Sequence, residues 1–376
     1  MKIVYLTSNH PKYDGRIYHK IIKALAPRIN QITSINPNIE ETSEGNISFK
    51  SFNKEKGLIG RLKGLINLYR IGKEENADVI IAPEPDSLFV AFILRKIHKN
   101  TVIFDSHEWY HVHYTHVTPI KPKIMGNIAN FILSIILKYL IKRIDGVITV
   151  NDSMTNYYKK INRNSITIPS VMDLSTLNTG ESSNLTNLNI IYFGQFGNSR
   201  QVEILKEAVE ILNERKSNAK IFVVGGYNNN QSEDIYKLKE FINSNDYNTN
   251  FEYIGWVNRK TAFELLRKSD LGMMRFDSDV YAGLPPLPNK IFEYMSYGIG
   301  IIGSEHNVEV KNIINEFKCG ITINSEDGLH LANSIIELEN NPHKVIELKA
   351  NAIAAVKDKY NWGFYGEKLI KFIKAI

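Results

Sequence analysis

The sequence predicts an α/β protein of two doubly wound, Rossmann-like domains. Strand-like runs of Ile and Val alternate with stretches of helical period along nearly the whole chain, the pattern of a parallel sheet wrapped by helices. At 376 residues the chain suits two domains of ordinary size. A segment rich in Ser, Thr, Asn and Gly, with no apolar period, separates the two runs of alternation. The expected organisation is a first domain over 1–172, a linker over 173–189, a second domain over 190–358 and a closing helix over 359–376.

The first strand is Ile3–Thr7, in an apolar run too short for a signal peptide. Helical spacing follows over Ile17–Ala26, with Asp14 placed to cap that helix. Gly15 and Arg16 then lie near the carboxyl end of the strand, where open α/β sheets bind ligands. Further strands are expected at Ile32–Ile35, Val79–Ala82, Thr101–Phe104, Gly146–Val150 and Ile166–Pro169, with helices over Leu58–Glu75 and Leu88–His98. Glu84 and Asp86 either line a cleft or cap the helix after them. The most apolar stretch, Ile128–Leu137, is edged by Lys121, Lys123, Lys138, Lys142 and Arg143 and is too short to span a bilayer. Packing against the sheet is the expected fate of this stretch. A basic-edged helix lying on a membrane surface is the alternative.

The second run opens with the strand Ile190–Phe193 and the turn Gly194-Gln195-Phe196-Gly197-Asn198-Ser199-Arg200. Glycines let backbone N–H groups approach a diphosphate, and an arginine adds a bidentate charge pair. After the helix Val202–Arg215 come strands at Ile221–Gly226, Asn250–Val257 and Leu271–Arg275. Residues 288–304 read as a helix that begins at Asn289, ends at Gly298 and leads into a buried strand. Ile291, Phe292 and Met295 share its core side, which leaves Lys290, Glu293 and Tyr297 on the other face. A carboxylate in that place can accept hydrogen bonds from two neighbouring sugar hydroxyls.

Composition narrows the classes. Hydrophobic residues at 43% and charged residues at 23% describe a globular protein. The single cysteine, Cys319, excludes an internal disulfide and fits a reducing compartment, so a cytoplasmic protein is expected. Residues 1–168 hold 24 Lys and Arg against 14 Asp and Glu, whereas 169–376 hold 22 against 26. The basic first part points to an anionic partner or to an ordinary solvated surface. Asp105–His111 contains H-E-x-x-H, which in a zinc hydrolase needs both histidines on one helix and a third ligand. Here it follows a strand directly, and 117–144 offers no third ligand, so the zinc reading is set aside. Asp277-Ser278-Asp279 invites a divalent cation, but no second feature supports a metal, and none is expected.

"PNKIFEYMSYGIGIIGSE", residues 288–305, resembles the donor-site signature of glycosyltransferase family 4, whose members are retaining and have the GT-B fold. "HPKYDGRIYHK", "FDSHE", "YIGWV" and "YNWGFYGEKLIKFI" resemble other segments of that family, so the likeness runs over nearly the whole chain. It implies two Rossmann-like domains facing a central cleft, with the closing helix crossing back to the first. It assigns Glu293 to the donor ribose, His107 to the donor sugar and Arg200 to the donor diphosphate. These three are the expected catalytic residues. Gly15, Arg16, Gly194, Gly197, Trp256, Asn289 and Lys290 complete the donor-binding set, with Trp256 near the base or else a core residue.

Two departures stand out. Gln195 occupies a place where many members have a second basic residue, and Pro285 stands where many have a first Glu. The implied activity is a metal-independent, retaining, hexosyltransferase-like reaction without a cofactor. A nucleotide-diphosphate sugar would be the donor and a saccharide, lipid-linked at the inner membrane face, the acceptor, in cell-surface polysaccharide synthesis, with no nucleic acid partner. The departures keep open a catalytically silent homologue that partners another transferase.

Overall fold

The computed structural model describes residues 1–110, 123–177, 187–194, 199–226, 240, 250–274, 286–323 and 327–376. Gln195, Gly197, His111, His113, His116, Asp277, Asp279 and Pro285 lie outside these residues, as does the side chain of Arg200. Two compact units are present: Met1–Ser170 with Trp362–Ile376, and Val171–Asn361.

The first unit is built on an eight-stranded sheet in the order β3-β4-β2-β1-β5-β6-β7-β8. Its strands are β1 (Lys2–Leu6), β2 (Gln31–Pro37), β3 (Thr42–Glu44), β4 (Ile47–Phe52), β5 (Val79–Ala82), β6 (Thr101–Ser106), β7 (Gly146–Thr149) and β8 (Ser165–Thr167). All pair in parallel except β3 with β4. Ile3, Val4, Val102, Ile103, Val147 and Ile148 are buried, as strands covered on both faces by helices require. β4 is not among the expected strands, because Ile47-Ser48-Phe49-Lys50 alternates in polarity and forms no continuous apolar run.

Around this sheet lie α1 (Lys23–Leu25), α2 (Gly57–Glu75), α3 (Pro85–His98), α4 (Lys123–Ile141), α5 (Asp152–Lys159) and, from the end of the chain, the helix Trp362–Ala375. α1 continues from a π-helical stretch, Ile17–Ile22, rather than from the expected regular helix. The cause is Asp14, whose backbone carbonyl accepts from both Tyr18 N and His19 N while its carboxylate accepts from Arg16 N and Ile17 N. Among its described side chains α4 buries Leu137, Leu140 and Ile141, while Phe131, Ile132, Leu133, Ile135 and Ile136 are exposed, so the expectation that the apolar stretch packs on the sheet fails for most of 131–137.

The second unit carries a six-stranded, wholly parallel sheet in the order β11-β10-β9-β12-β13-β14. Its strands are β9 (Asn189–Phe193), β10 (Lys220–Val224), β11 (Phe251–Gly255), β12 (Leu271–Met273), β13 (Gly300–Ser304) and β14 (Gly320–Ile323). The helices are α6 (Ser199–Glu214), α7 (Arg259–Arg267), α8 (Lys290–Ser296), α9 (Val308–Phe317), α10 (Gly328–Glu339) and α11 (Pro342–Asp358), and the helix Trp362–Ala375 is α12. Ile190, Leu205, Ile221, Ile302, Leu331 and Leu348 belong to one core cluster of this unit. The parallel strands of each sheet reverse their order once, beside β1 and beside β9. Crevices at the carboxyl ends of such positions are where open α/β sheets take ligands.

Candidate active site

At the carboxyl end of β1, Arg16 is buried and committed. Its Nη2 lies 2.7 Å from Asp105 Oδ1, Nε faces both Asp105 oxygens at 3.3 Å, and Nη1 donates to Ile168 O and Ser170 Oγ at 3.0 and 3.1 Å. Sequence reading placed Arg16 among donor-binding residues, but the guanidinium instead ties β6 to the segment after β8. A planar donor fork matches a carboxylate in this way. Tyr5 completes the cluster at 3.4 Å from Asp105, and burial followed by that carboxylate raises its pKa well above the usual range. Gly15, next to Arg16, is exposed and has open space where a side chain would project.

His107 follows β6 directly. Its Nδ1 lies 3.2 Å from Asp105 O and its Nε2 lies 3.4 Å from Tyr110 Oη. A carbonyl can only accept, so Nδ1 carries the proton and Nε2 does not, while the Tyr110 hydroxyl donates its own proton to Pro83 O at 2.9 Å. Burial lowers the His107 pKa, which favours the neutral ring. Beside it, with ring centroids 5.1 Å apart, is His10, which the sequence reading passed over. His10 Nδ1 is 3.1 Å from Asp14 and its Nε2 is 3.6 Å from Glu84. Burial alone would lower its pKa, but the bond to Asp14 and the Glu84 charge outweigh it, and the result is a raised pKa. Two imidazoles in edge-to-face contact thus sit in opposite electrostatic settings.

Glu84 is a cap and a loop anchor at once. It caps α3 in a capping box with Ser87, and its oxygens accept from Thr7 Oγ1, Ser8 N and Asn9 N at 2.8, 3.1 and 3.0 Å. Asp86 pairs with Arg61 in a two-pronged contact at 2.8 Å. Asn9, Lys54, Arg61, Glu84, Asp86 and Tyr110 line a cavity of ≈ 310 Å³ at this end of the sheet.

In the second unit three neighbouring strands end on glycines with positive φ: Gly194 at 118°, Gly225 at 126° and Gly255 at 75°. Gly194 N donates to Val224 O and Gly225 N to Gly255 O, both at 2.8 Å. A Cβ on Gly225 would stand 2.0 Å from Gly194 O, so the backbones can only approach this closely without side chains. The result is a shelf of bare backbone beside the β9 reversal. Of these three glycines the sequence reading singled out Gly194; the recurrence of Gly at the end of each strand run was the available signal for the others.

Lys290 reaches this shelf. Its Nζ lies 4.0 Å from the centroid of the Tyr192 ring, and a Cβ on Gly194 would lie 3.6 Å from it. Glu293 is one turn further along α8 and half-buried. Asn289 departs from expectation: its backbone is helical, its side chain makes no capping bond, and it is exposed. What holds α8 is Tyr294, buried, whose hydroxyl receives Phe193 N at 2.9 Å and faces Ile191 O and Met273 O at 3.3 and 3.2 Å. Trp256 is 66% exposed, so it is no core residue; its indole covers Gly226, where an added Cβ would come within 2.4 Å of Nε1. Arg200 lies in the first turn of α6. Among the described residues no group of His, Cys, Asp and Glu is arranged to hold a metal ion.

The family model described as "Glycosyl transferases group 1" matches residues 179–358. The whole chain superposes on HepE of Anabaena, solved with UDP, with a TM-score of 0.75 and 15% identity over 100% of both chains. Sucrose-phosphate synthase of Thermosynechococcus elongatus gives 0.72 at 15% identity, over 100% of this chain and 99% of that one. TarM gives 0.60 at 16% identity, over 82% and 58%. A search of curated proteins found no match. The fold is therefore GT-B. Together with the family match over the second unit, it supports a glycosyltransferase.

Proposed function

We propose that the protein is a retaining glycosyltransferase that moves a sugar from a nucleotide-diphosphate sugar to a saccharide acceptor. The observation that carries this is the shelf of glycine backbone at the β9 reversal with the Lys290 ammonium set against it. Strand ends without side chains let a diphosphate approach closely, and one fixed cation beside them suits its charge. Glu293, on the same face of α8, would hold the ribose hydroxyls, and Trp256, largely exposed, has a ring face open for the base. HepE has been solved with UDP and with UDP-glucose, which supports a uridine donor as the first to try.

In this reading, the acceptor attacks from the face that the leaving group vacates, with a departing phosphate oxygen taking its proton. The protein's part is to stabilise the charge that builds on the diphosphate, through Lys290, Arg200 and the N–H groups around them. His107, neutral with its Nδ1 proton fixed on Asp105 O, would present Nε2 to a sugar hydroxyl. No metal or other cofactor takes part. The acceptor is lipid-linked and the reaction cytoplasmic, in cell-surface polysaccharide synthesis; the basic first unit and the single cysteine support these two assignments.

Thermal unfolding with UDP, GDP, ADP and CMP, with and without EDTA, tests the donor site. A ligand at a hundred times its Kd stabilises the fold by about 2.7 kcal/mol. One diphosphate should stabilise the wild type, regardless of EDTA, and should fail to stabilise Glu293→Ala. Silence with every nucleotide would favour the catalytically silent homologue instead, a reading that Pro285 and Gln195 keep in view.

A further inference from the structure

Helix α2 is built inside out. Its buried positions are Gly60, Gly64, Leu68, Gly72 and Glu75, while Leu58, Ile59, Leu62 and Ile66 are all more than half exposed. An ordinary surface helix turns its large apolar side chains to the core. Here the glycines let α2 lie close on the unit: a Cβ on Gly72 would come within 2.8 Å of Leu94. α4 shows the same division. Leu137, Leu140 and Ile141 face inward, and Phe131, Ile132, Ile135 and Tyr139 are at least half exposed. α3 packs against both helices and adds exposed Phe89 and Ile97. One layer of three helices therefore turns a broad apolar surface away from its own sheet.

The charges beside this surface have one dominant sign. Between Glu55 and Glu74 the only charged residues are Lys56, Arg61, Lys63, Arg70 and Lys73. Between Phe131 and Ile144 they are Lys138, Lys142 and Arg143. Glu55 and Asp86 offset Lys63 and Arg61 at the first end of α2, and Glu74 stands beside Arg70 and Lys73 at its other end. We propose that this α2–α3–α4 face docks on an anionic lipid bilayer, with the exposed apolar side chains entering the acyl boundary and the basic residues meeting headgroup phosphates. Self-pairing suits the surface poorly, because a two-fold interface would set these basic borders against one another. No helix among the described residues is long and apolar enough to cross a membrane, so the contact is peripheral. It does not depend on the transfer reaction.

The test is sedimentation of the whole chain with vesicles of phosphatidylcholine alone and of phosphatidylcholine carrying about one third phosphatidylglycerol. Binding should require the anionic lipid and weaken with salt. The double variants Leu62→Ser with Ile66→Ser, and Phe131→Ser with Ile135→Ser, should each lower partitioning by at least about tenfold. Arg70→Gln with Lys73→Gln should lower it by roughly fivefold per charge. All these side chains are exposed, so thermal unfolding and the response to nucleotides should stay as in the wild type. Failure to sediment with anionic vesicles would overturn the proposal, and so would binding indifferent to both apolar variants. A wild-type dimer that the apolar variants convert to monomer would assign the face to a second copy and overturn it equally.

Discussion

The Arg16 guanidinium and the Asp105 carboxylate form a fully enclosed pair at the end of the first sheet. Neither charge can be removed alone without leaving the other uncompensated, so Arg16→Ala should cost about 3–5 kcal/mol in denaturant unfolding. Arg16→Lys should recover only part of this, because an ammonium cannot face Asp105 and Ile168 O at once. His10 offers a finer test. Its pKa is raised above 6.5, so its stabilising effect is complete below pH 6.5 and is lost as pH rises through the higher folded value. His107 works the other way: its lowered pKa costs stability as pH falls below 6.5. The difference in melting temperature between wild type and His10→Gln isolates the first effect. It should favour the wild type on the acid side and shrink towards zero on the alkaline side; a difference that grows with pH would refute the assignment.

Among the elements, α8 and the strand ends of the second sheet form a single device. Tyr294 fastens the helix to β9 and β12 through one hydroxyl, and Tyr294→Phe would leave Phe193 N without that acceptor. A loss of about 1–3 kcal/mol is expected from chemical denaturation. Gly225 is less forgiving. Both its φ of 126° and the 2.0 Å approach to Gly194 O exclude a side chain, and Gly225→Ala should cost more than about 2 kcal/mol and abolish the nucleotide response. The positions of Lys290 and Glu293 on one helix face could be read from spacing, since a helix of known period fixes which residues share a side. The failure of Asn289 as a cap could not, because Pro288 and Asn289 carbonyls already accept from Ile291, Phe292 and Glu293 N–H groups and the chain enters the helix without an extended cap residue.

For the whole molecule, the end of the chain counts with its beginning. α12 belongs to the first unit, where it packs beside α1, meets Gly146 through Phe372 and pairs Glu367 with Arg28. Trp362, Tyr365, Leu369, Ile370 and Ile373 are buried there. Deleting 362–376 should therefore abolish cooperative unfolding of the first unit, from whose earlier part 191 residues separate it in sequence, about as surely as a core deletion. Calorimetry of the truncated chain reads this directly.

By itself the sequence determined the apolar parallel strands and the longer helices, because apolar period is a local property, though not the alternating β4 or the π-helical Ile17–Ile22, and it determined which face of α8 carries Lys290 and Glu293. Partners far apart in the chain were decided only by tertiary structure. Arg16 is taken by Asp105, 89 residues on, and Tyr294 closes on Phe193, 101 residues back. The same holds for three glycine ends meeting in one shelf and for α2 burying its glycines and exposing its leucine and isoleucines. Each of these follows from strand order and from which helix lies on which strand, and neither is written in the period of any one segment.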